Sequence, residues 1–572
     1  MVMKKMRILY IVLFFCLCLA PVLLIPVFGH QMLENDSVPP SWPSLIKDEQ
    51  INRDFFSEVS DYTDKNIAFR RQLVSLNGLL MKNLFRSSAQ DDVIVGKDGY
   101  LFYTSSLDTY TGRQGMNSRQ LQNAAADLRL LQDILEKEGV RFVFTIAPNK
   151  NSLYGKYMPS RYQEEKELRP VVGLTPLLKE NNVNYVDLFE ILGSKEEVLY
   201  HKTDSHWNNR GAALAAYYLL QAGGAGAEDY GEGPFEIRHD FQGDLFAMIC
   251  PAFKDHETEI YYKREMTYRY LTDIQSNYDP LILTENPGAP SDACSIVVFR
   301  DSFGNSLLPF LADQARDAYF SRNMPIEAKA AGERGADLLI WEIVERNLPM
   351  VPKDAPVIAG VSEEVLHPGN AGNDALRLPD DIQAVKHNMM EPSMKDGLLC
   401  IQGNLDAGSI SDLAKVYVVV SSDKDSQQPE VYQAFQTGGT NGSGYGYCLY
   451  LDPDQLTADS CEFSLLIQDS GSMTLSETMR TMDMGALHKK QKKSKTGSKL
   501  AEGESAFEAA QQYVGKPVEE LIAVLGEPLD SSTGPSCNSP GDDGQYFYDG
   551  FTVYTQSEER GGTQIVQHVL KK

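Results

Sequence analysis

Two short stretches of the chain carry residue types able to do acyl chemistry. The first is His201-Lys202-Thr203-Asp204-Ser205-His206-Trp207-Asn208. A carboxylate two residues before an imidazole, on a loop, can accept a bond from one ring nitrogen. That fixes the tautomer and leaves the other nitrogen as a base. Asn208 with Arg210-Gly211-Ala212 reads as the opening of a helix, so the pair sits at a loop-to-helix junction. Taken alone, an Asp-x-His spacing is common. The second stretch is Phe299-Arg300-Asp301-Ser302-Phe303-Gly304-Asn305-Ser306. It follows the apolar run 294–299 and precedes a helix-like run, 307–312. A serine on a strand-to-helix turn exposes its hydroxyl beside backbone N–H groups that can hold an oxyanion. The other reading is that Asp301 or Ser302 only caps the helix. A metal site built from His201, Asp204 and His206 lacks a fourth ligand, so no metal and no cofactor are expected.

Such residues need a scaffold, and the pattern from 61 to 350 alternates helix and strand, as an α/β fold does. Residues 121–138 have apolar positions at helical spacing and feed the strand candidate 140–147. Further candidates are 184–189, 294–299 and 338–343. They are short and apolar on both faces, as buried parallel strands are. After Pro349 the character changes. The candidates 416–420, 445–451 and 461–467, bounded by turn residues, predict a β-sandwich over 351–485. A lysine-rich stretch, 486–505, reads as a solvated linker, with contact to an anionic polymer or lipid as the other reading. The last unit, 506–572, reads as two helices and three strands, with Asp549-Gly550 in a hairpin turn.

The chain has 572 residues, 42% of them hydrophobic and 23% charged, which suits several folded units rather than a disordered chain. A formal charge of −26 repels phosphate backbones and excludes nucleic acid as an expected partner. Lys4, Lys5 and Arg7 precede an uncharged apolar run of 22 residues, 8–29. At about 1.5 Å per residue, that is long enough for a hydrocarbon core of about 30 Å. The basic flank keeps the N-terminus inside and puts the bulk of the chain outside the cell membrane. No small-x-small cleavage site follows, which favours an uncleaved single-pass anchor (1–30) over a removed signal peptide. Residues 31–60 read as a polar spacer. Of the eight cysteines, Cys448 and Cys461 are the pair nearest to bonding by sequence proximity, with buried free thiols as the alternative.

Together these motifs resemble the extracytoplasmic SGNH-hydrolase-like proteins related to the alginate O-acetylation factors, including those called DHHW proteins. The resemblance covers about 60–350. It is carried by Val95-Gly96-Lys97-Asp98-Gly99-Tyr100-Leu101-Phe102-Tyr103, Ala147-Pro148-Asn149-Lys150 and Asp204-Ser205-His206-Trp207. Gly243-Asp244-Leu245, Asp301-Ser302-Phe303-Gly304 and Glu345-Arg346 follow in the family's order. Ser205 departs from the second letter of the D-H-H-W tetrad. The resemblance implies a flavodoxin-like parallel sheet, with Ser302 as nucleophile, His206 as base and Asp204 as its orienter. Asn149 becomes a candidate oxyanion donor beside the Ser302 N–H. Trp207 is either a sugar platform or a core residue, and Arg346 either pairs with Glu345 or reaches the site. The implied activity is O-acetyl transfer to a cell-wall or exported polysaccharide, with a membrane-bound O-acyltransferase supplying acetyl groups. A carbohydrate esterase on the same residues and a non-catalytic polysaccharide-binding protein are the alternatives.

Overall fold

The computed structural model describes residues 2–29, 42–47, 50–271, 279–368, 378–379 and, with short gaps, 387–485 and 506–571. The lysine-rich stretch 486–505, the turn residues Asp549-Gly550 and Cys537 lie outside the described residues.

Seven strands form the central sheet. They are β1 (Arg141–Ala147), β2 (Tyr185–Val186), β3 (Arg269–Tyr270), β4 (Leu281–Glu285), β5 (Ser295–Phe299), β6 (Asp317–Ser321) and β7 (Leu338–Val344). Their order is β2-β1-β7-β5-β6-β4-β3. Strands β2, β1, β7, β5 and β6 run parallel, while β4 and β3 close one edge antiparallel. Alternate side chains face opposite layers. Phe142, Phe144 and Trp341 pack toward helices α1 (Ser118–Lys137) and α2 (Pro170–Glu180). Val143, Ile340 and Val298 pack toward α3 (Asn209–Ala222) and α4 (Gly304–Ala312). Burial on both faces is why these strands read as continuous apolar runs.

Several expectations are corrected. The candidate at 184–189 yields only two strand residues, because the Asp187 side chain accepts from the N–H groups of Phe189 and Glu190 and starts a helix, Leu188–Gly193. The segment 31–60 is not only a spacer, since a helix, Phe55–Asn66, begins within it. Strands β4 and β6 had no counterpart among the candidates.

From 387 to 483 two five-stranded antiparallel sheets face each other. Ile401 and Leu449 of one share a core with Val418 and Leu465 of the other. Cys448 faces Cys400, with sulfurs 3.7 Å apart, because their strands are neighbours in one sheet. Cys461 pairs with Ser422 in the opposite sheet, which corrects the Cys448–Cys461 expectation. None of the described cysteines is disulfide-bonded. The C-terminal segment has two helices, Ala506–Gln511 and Val518–Leu525, on a four-stranded antiparallel sheet rather than three strands. Among the described residues, one helix is long and apolar enough to cross a membrane, over Lys5–Leu23.

Candidate active site

Three neighbouring parallel strands, β1, β7 and β5, end at the same edge of the sheet, and the chain leaves each with a polar residue. Asn149 follows β1, Arg346 follows β7 and Ser302 follows β5. Parallel order alone therefore collects residues separated by up to 197 positions, as between Asn149 and Arg346.

The turn after β5 is built tightly. The Asp301 carboxylate accepts from the Phe303 N–H (2.9 Å) and from the Val344 N–H (2.7 Å), which ties the end of β5 to that of β7. Gly304 is required here because a Cβ would lie 2.5 Å from that of Arg300. Asp301 thus braces the turn against β7 rather than capping α4, whose N-cap, Phe303, has no side-chain cap bond, and the Ser302 hydroxyl is left for a different partner. It lies 3.0 Å from His206 Nε2.

His206 comes from the loop before α3, whose first turn is capped by Asn208 accepting from the Gly211 N–H. Its Nδ1 lies 2.8 Å from Asp204 Oδ1, and its backbone N–H donates to the same oxygen at 2.8 Å. A carboxylate can only accept, so the proton sits on Nδ1 and Nε2 faces the Ser302 hydroxyl as an acceptor. Burial alone would raise Asp204, but the hydrogen bond and charge of His206 outweigh it and hold the carboxyl well below its usual range. Burial would lower His206, and the Asp204 hydrogen bond and charge reverse that, leaving the imidazole above its ordinary value.

Two residues beneath the loop were not given roles from sequence. Asp244 accepts from the Ser205 N–H (2.8 Å) and hydroxyl (2.6 Å), and its own N–H donates to Asp204 Oδ2 (2.9 Å). Burial, then the Asp204 charge, push Asp244 up to about 6. Lys150 is buried, and its Nζ donates to the carbonyls of His201 (3.2 Å), Lys202 (3.0 Å) and Asp204. Burial lowers Lys150 to about 8 against the nearby charges of Asp204, Asp244 and Glu257. One ammonium therefore holds three carbonyls of the loop that presents Asp204 and His206. Both residues stood in the quoted motifs, but only the folded contacts give them something to hold.

The remaining candidates divide. Asn149 is buried, its Oδ1 accepts from Arg346 Nη1 at 3.4 Å, and its Nδ2 meets no hydrogen-bond partner within 3.5 Å among the described residues. Arg346 does not pair with Glu345. It lies over the rings of Tyr103 and Phe303, and the latter packs on His206 at 4.9 Å. Glu345 turns to Arg169 (3.7 Å) and accepts from the Asn149 backbone N–H (3.1 Å). Trp207 is 1% exposed and packs edge-on against Phe303 at 5.0 Å, so it offers no face to a sugar. His201 turns away to Glu259 (2.9 Å) and stacks on Phe241, outside any cluster with Asp204. The ligand atoms of Asp204, His206 and Asp244 lie within 4.8 Å of one another, but each carboxylate is already engaged by the bonds above.

Residues 93–276 match the family model described as the SGNH hydrolase-like domain of the acetyltransferase AlgX. That match includes Asp204 and His206 and ends before Ser302. Two curated relatives are each named "Probable alginate O-acetylase AlgJ". The protein from Pseudomonas syringae pv. tomato is 24% identical over 221 residues, 38% of this chain and 52% of the relative. That from Pseudomonas aeruginosa is 26% identical over 165 residues, 27% of this chain and 39% of the relative. The chain thus spans about half or less of the relatives it matches. Solved structures with similarity include a DHHW family protein from Eubacterium siraeum, 17% identical over 48% of this chain and 94% of that one, with TM-score 0.34. Another is the O-acetyltransferase domain of Pseudomonas putida AlgJ, 17% identical over 45% and 92%, with TM-score 0.32.

Proposed function

From the premise that the chain carries an SGNH-hydrolase-like domain of the family that includes the alginate O-acetylation proteins, we propose that it is an O-acetyltransferase. Its acceptor is a cell-wall or exported polysaccharide outside the cell membrane, and Ser302, His206 and Asp204 are its catalytic residues. The observation that carries this reading is the contact chain from Asp204 through His206 Nδ1 and Nε2 to Ser302 Oγ, at 2.8 and 3.0 Å.

In the first step the Ser302 oxygen attacks the acyl carbonyl carbon and its proton passes to His206 Nε2. Asp204 holds the imidazole in place and stabilises the imidazolium. The tetrahedral oxyanion accepts from the Ser302 N–H and Asn149 Nδ2, and one such donor contributes about 2.7–4 kcal/mol. Collapse transfers the His206 proton to the leaving group and leaves an acetyl ester on Ser302. In the second step a sugar hydroxyl gives its proton to His206 and attacks that ester; the bond from the acyl carbon to Ser302 Oγ breaks, His206 returns the proton to that oxygen, and the sugar departs acetylated. Lys150 and Asp244 position the loop rather than touch the acyl group. The helix over 5–23 serves as a single-pass anchor, and a membrane-bound O-acyltransferase supplies acetyl groups. The organisation we infer is 61–350 for catalysis, 351–485 as a β-sandwich and 506–572 as a further module.

The test uses the purified full chain with an activated acetyl ester. Acetate should be released, and Ser302→Ala should lower turnover by several orders of magnitude with unchanged thermal stability. Added oligosaccharide should divert acetyl from water to sugar. Acetate release that no acceptor diverts would mean an esterase. Polysaccharide binding without Ser302-dependent turnover would leave only a binding protein.

A further inference from the structure

The helix Arg70–Leu80, continued by a wider turn, Met81–Phe85, is amphipathic the wrong way round for a water-facing element. Its inner face against the domain carries Ser75 and Gly78, both buried. Gly78 sits so close to Ile249 that a Cβ would lie 2.1 Å from its carbonyl oxygen. The outer face carries Leu73, Leu76, Leu80 and Leu84, exposed by 43%, 61%, 48% and 70%. Their spacing of three, four and four places them on one stripe.

Charge marks the same segment. Between 65 and 90 stand Lys65, Arg70, Arg71, Lys82 and Arg86 and no carboxylate, in a chain whose net charge is −26. Arg71 donates to the Pro251 carbonyl and Lys82 lies over the Phe246 ring, so neither of those contacts neutralises its charge. The helix also begins where the N-terminal apolar helix ends. The Ala68 N–H donates to the Pro21 carbonyl at 3.0 Å, and Phe69 stacks on Phe28 at 5.1 Å.

We propose that residues 70–85 lie in the membrane–water interface, with the leucine stripe in the outer acyl boundary and the cations among anionic headgroups. Apolar area with flanking Lys and Arg is what an interfacial helix needs. The proposal rests on reading 5–23 as the anchor, which brings this face to the bilayer. It would fix the domain's orientation on the membrane rather than leave it on a tether.

The full chain would be reconstituted in vesicles of phosphatidylglycerol and phosphatidylcholine containing nitroxide-labelled lipids. A reporter tryptophan is introduced in separate variants as Leu76→Trp, Leu84→Trp, Leu13→Trp or Val198→Trp, and its quenching is read against the parent. The 76 and 84 positions are exposed, so neither variant disturbs a core. The reporters at 76 and 84 should be quenched at least about two-fold more than that at 198, most strongly by a label near the headgroups. The reporter at 13 should respond most to a label deep in the chains. Replacing phosphatidylglycerol by phosphatidylcholine should weaken quenching at 76. Strong quenching at 13 with none at 76 and 84 would overturn the proposal, spare the anchor, and leave the stripe to a protein partner. No quenching at 13 would remove the anchor reading and the proposal with it.

Discussion

At the residue scale, the shifted groups around Ser302 make a pH signature. Only neutral His206 can take the Ser302 proton, and Asp204 holds its pKa above the ordinary value of about 6.5. Turnover should therefore rise with pH through a midpoint above 6.5. Asp204→Asn removes the charge and places an amide that can donate as well as accept beside Nδ1, so the tautomer is no longer fixed, the midpoint should fall and the rate should drop by about a thousand-fold or more. Lys150 gives the opposite limb. Its folded pKa of about 8 lies below the 10.5 of an unperturbed lysine, so the unfolded chain binds more protons between those values. The Lys150 contribution to stability then rises with pH across that window. Activity should fall there, because a neutral amine has fewer N–H donors for the three loop carbonyls. Rate profiles and urea unfolding of the parent and Lys150→Met check this. The variant should lose the alkaline limb and at least about ten-fold of the neutral rate. An unchanged alkaline limb in Lys150→Met would assign that limb elsewhere.

At the element scale, the site depends on how closely the loop 201–206 can rest on the helix Asp244–Ile249. Gly243 makes this possible, since a Cβ there would lie 2.3 Å from the Thr203 carbonyl carbon and oxygen. Its backbone is extended, so the demand is for space rather than for a glycine-only conformation. Gly243→Ala should push the loop off Asp244 and cost about 1–3 kcal/mol. Turnover of the activated ester should fall more than the melting temperature suggests, because the displaced loop carries both Asp204 and His206. A variant with parental kinetics would mean that the loop absorbs the methyl without moving Asp204 and His206.

At the scale of the whole molecule, one buried arginine joins the α/β domain to the two facing sheets. Arg119, in the first turn of α1, donates to the carbonyls of Gly444 (3.3 Å), Asp412 (3.0 Å) and Ala414 (2.7 Å) and to the Gln436 side chain. Next to it, Asp127 accepts from the Gln436 N–H at 2.8 Å. Removing a donor of several buried carbonyls leaves each unsatisfied at about 1–3 kcal/mol. Arg119→Met should therefore destabilise the chain by about 3 kcal/mol or more and expose 387–483 to limited proteolysis, while Ser302 chemistry persists at low temperature. Equal stability and protease resistance would show that apolar contacts alone hold the units together.

The sequence by itself determined the strand runs that end near 147, 299 and 344, since burial on both faces demands continuous apolar side chains. It also determined the apolar N-terminal helix, and the Asp204-x-His206 and Asp301-Ser302 stretches, whose chemistry is written in residue type and local spacing. Tertiary structure alone decided what surrounds them. Parallel strand order brought Asn149, Ser302 and Arg346 to one edge, a non-local pairing that no local pattern encodes. Chain reversal set Cys448 against Cys400 instead of its nearer neighbour Cys461. Burial withdrew Trp207 from solvent, and Arg169 took the Glu345 contact expected of Arg346. Lys150 and Asp244 became supports because desolvated charges must find partners, and the nearest were the carbonyls and hydroxyl of the loop 201–206. The short strands β4 and β6 escaped the pattern because each has only three consecutive apolar residues, Leu281–Leu283 and Ala318–Phe320, too short a run to stand out beside polar neighbours.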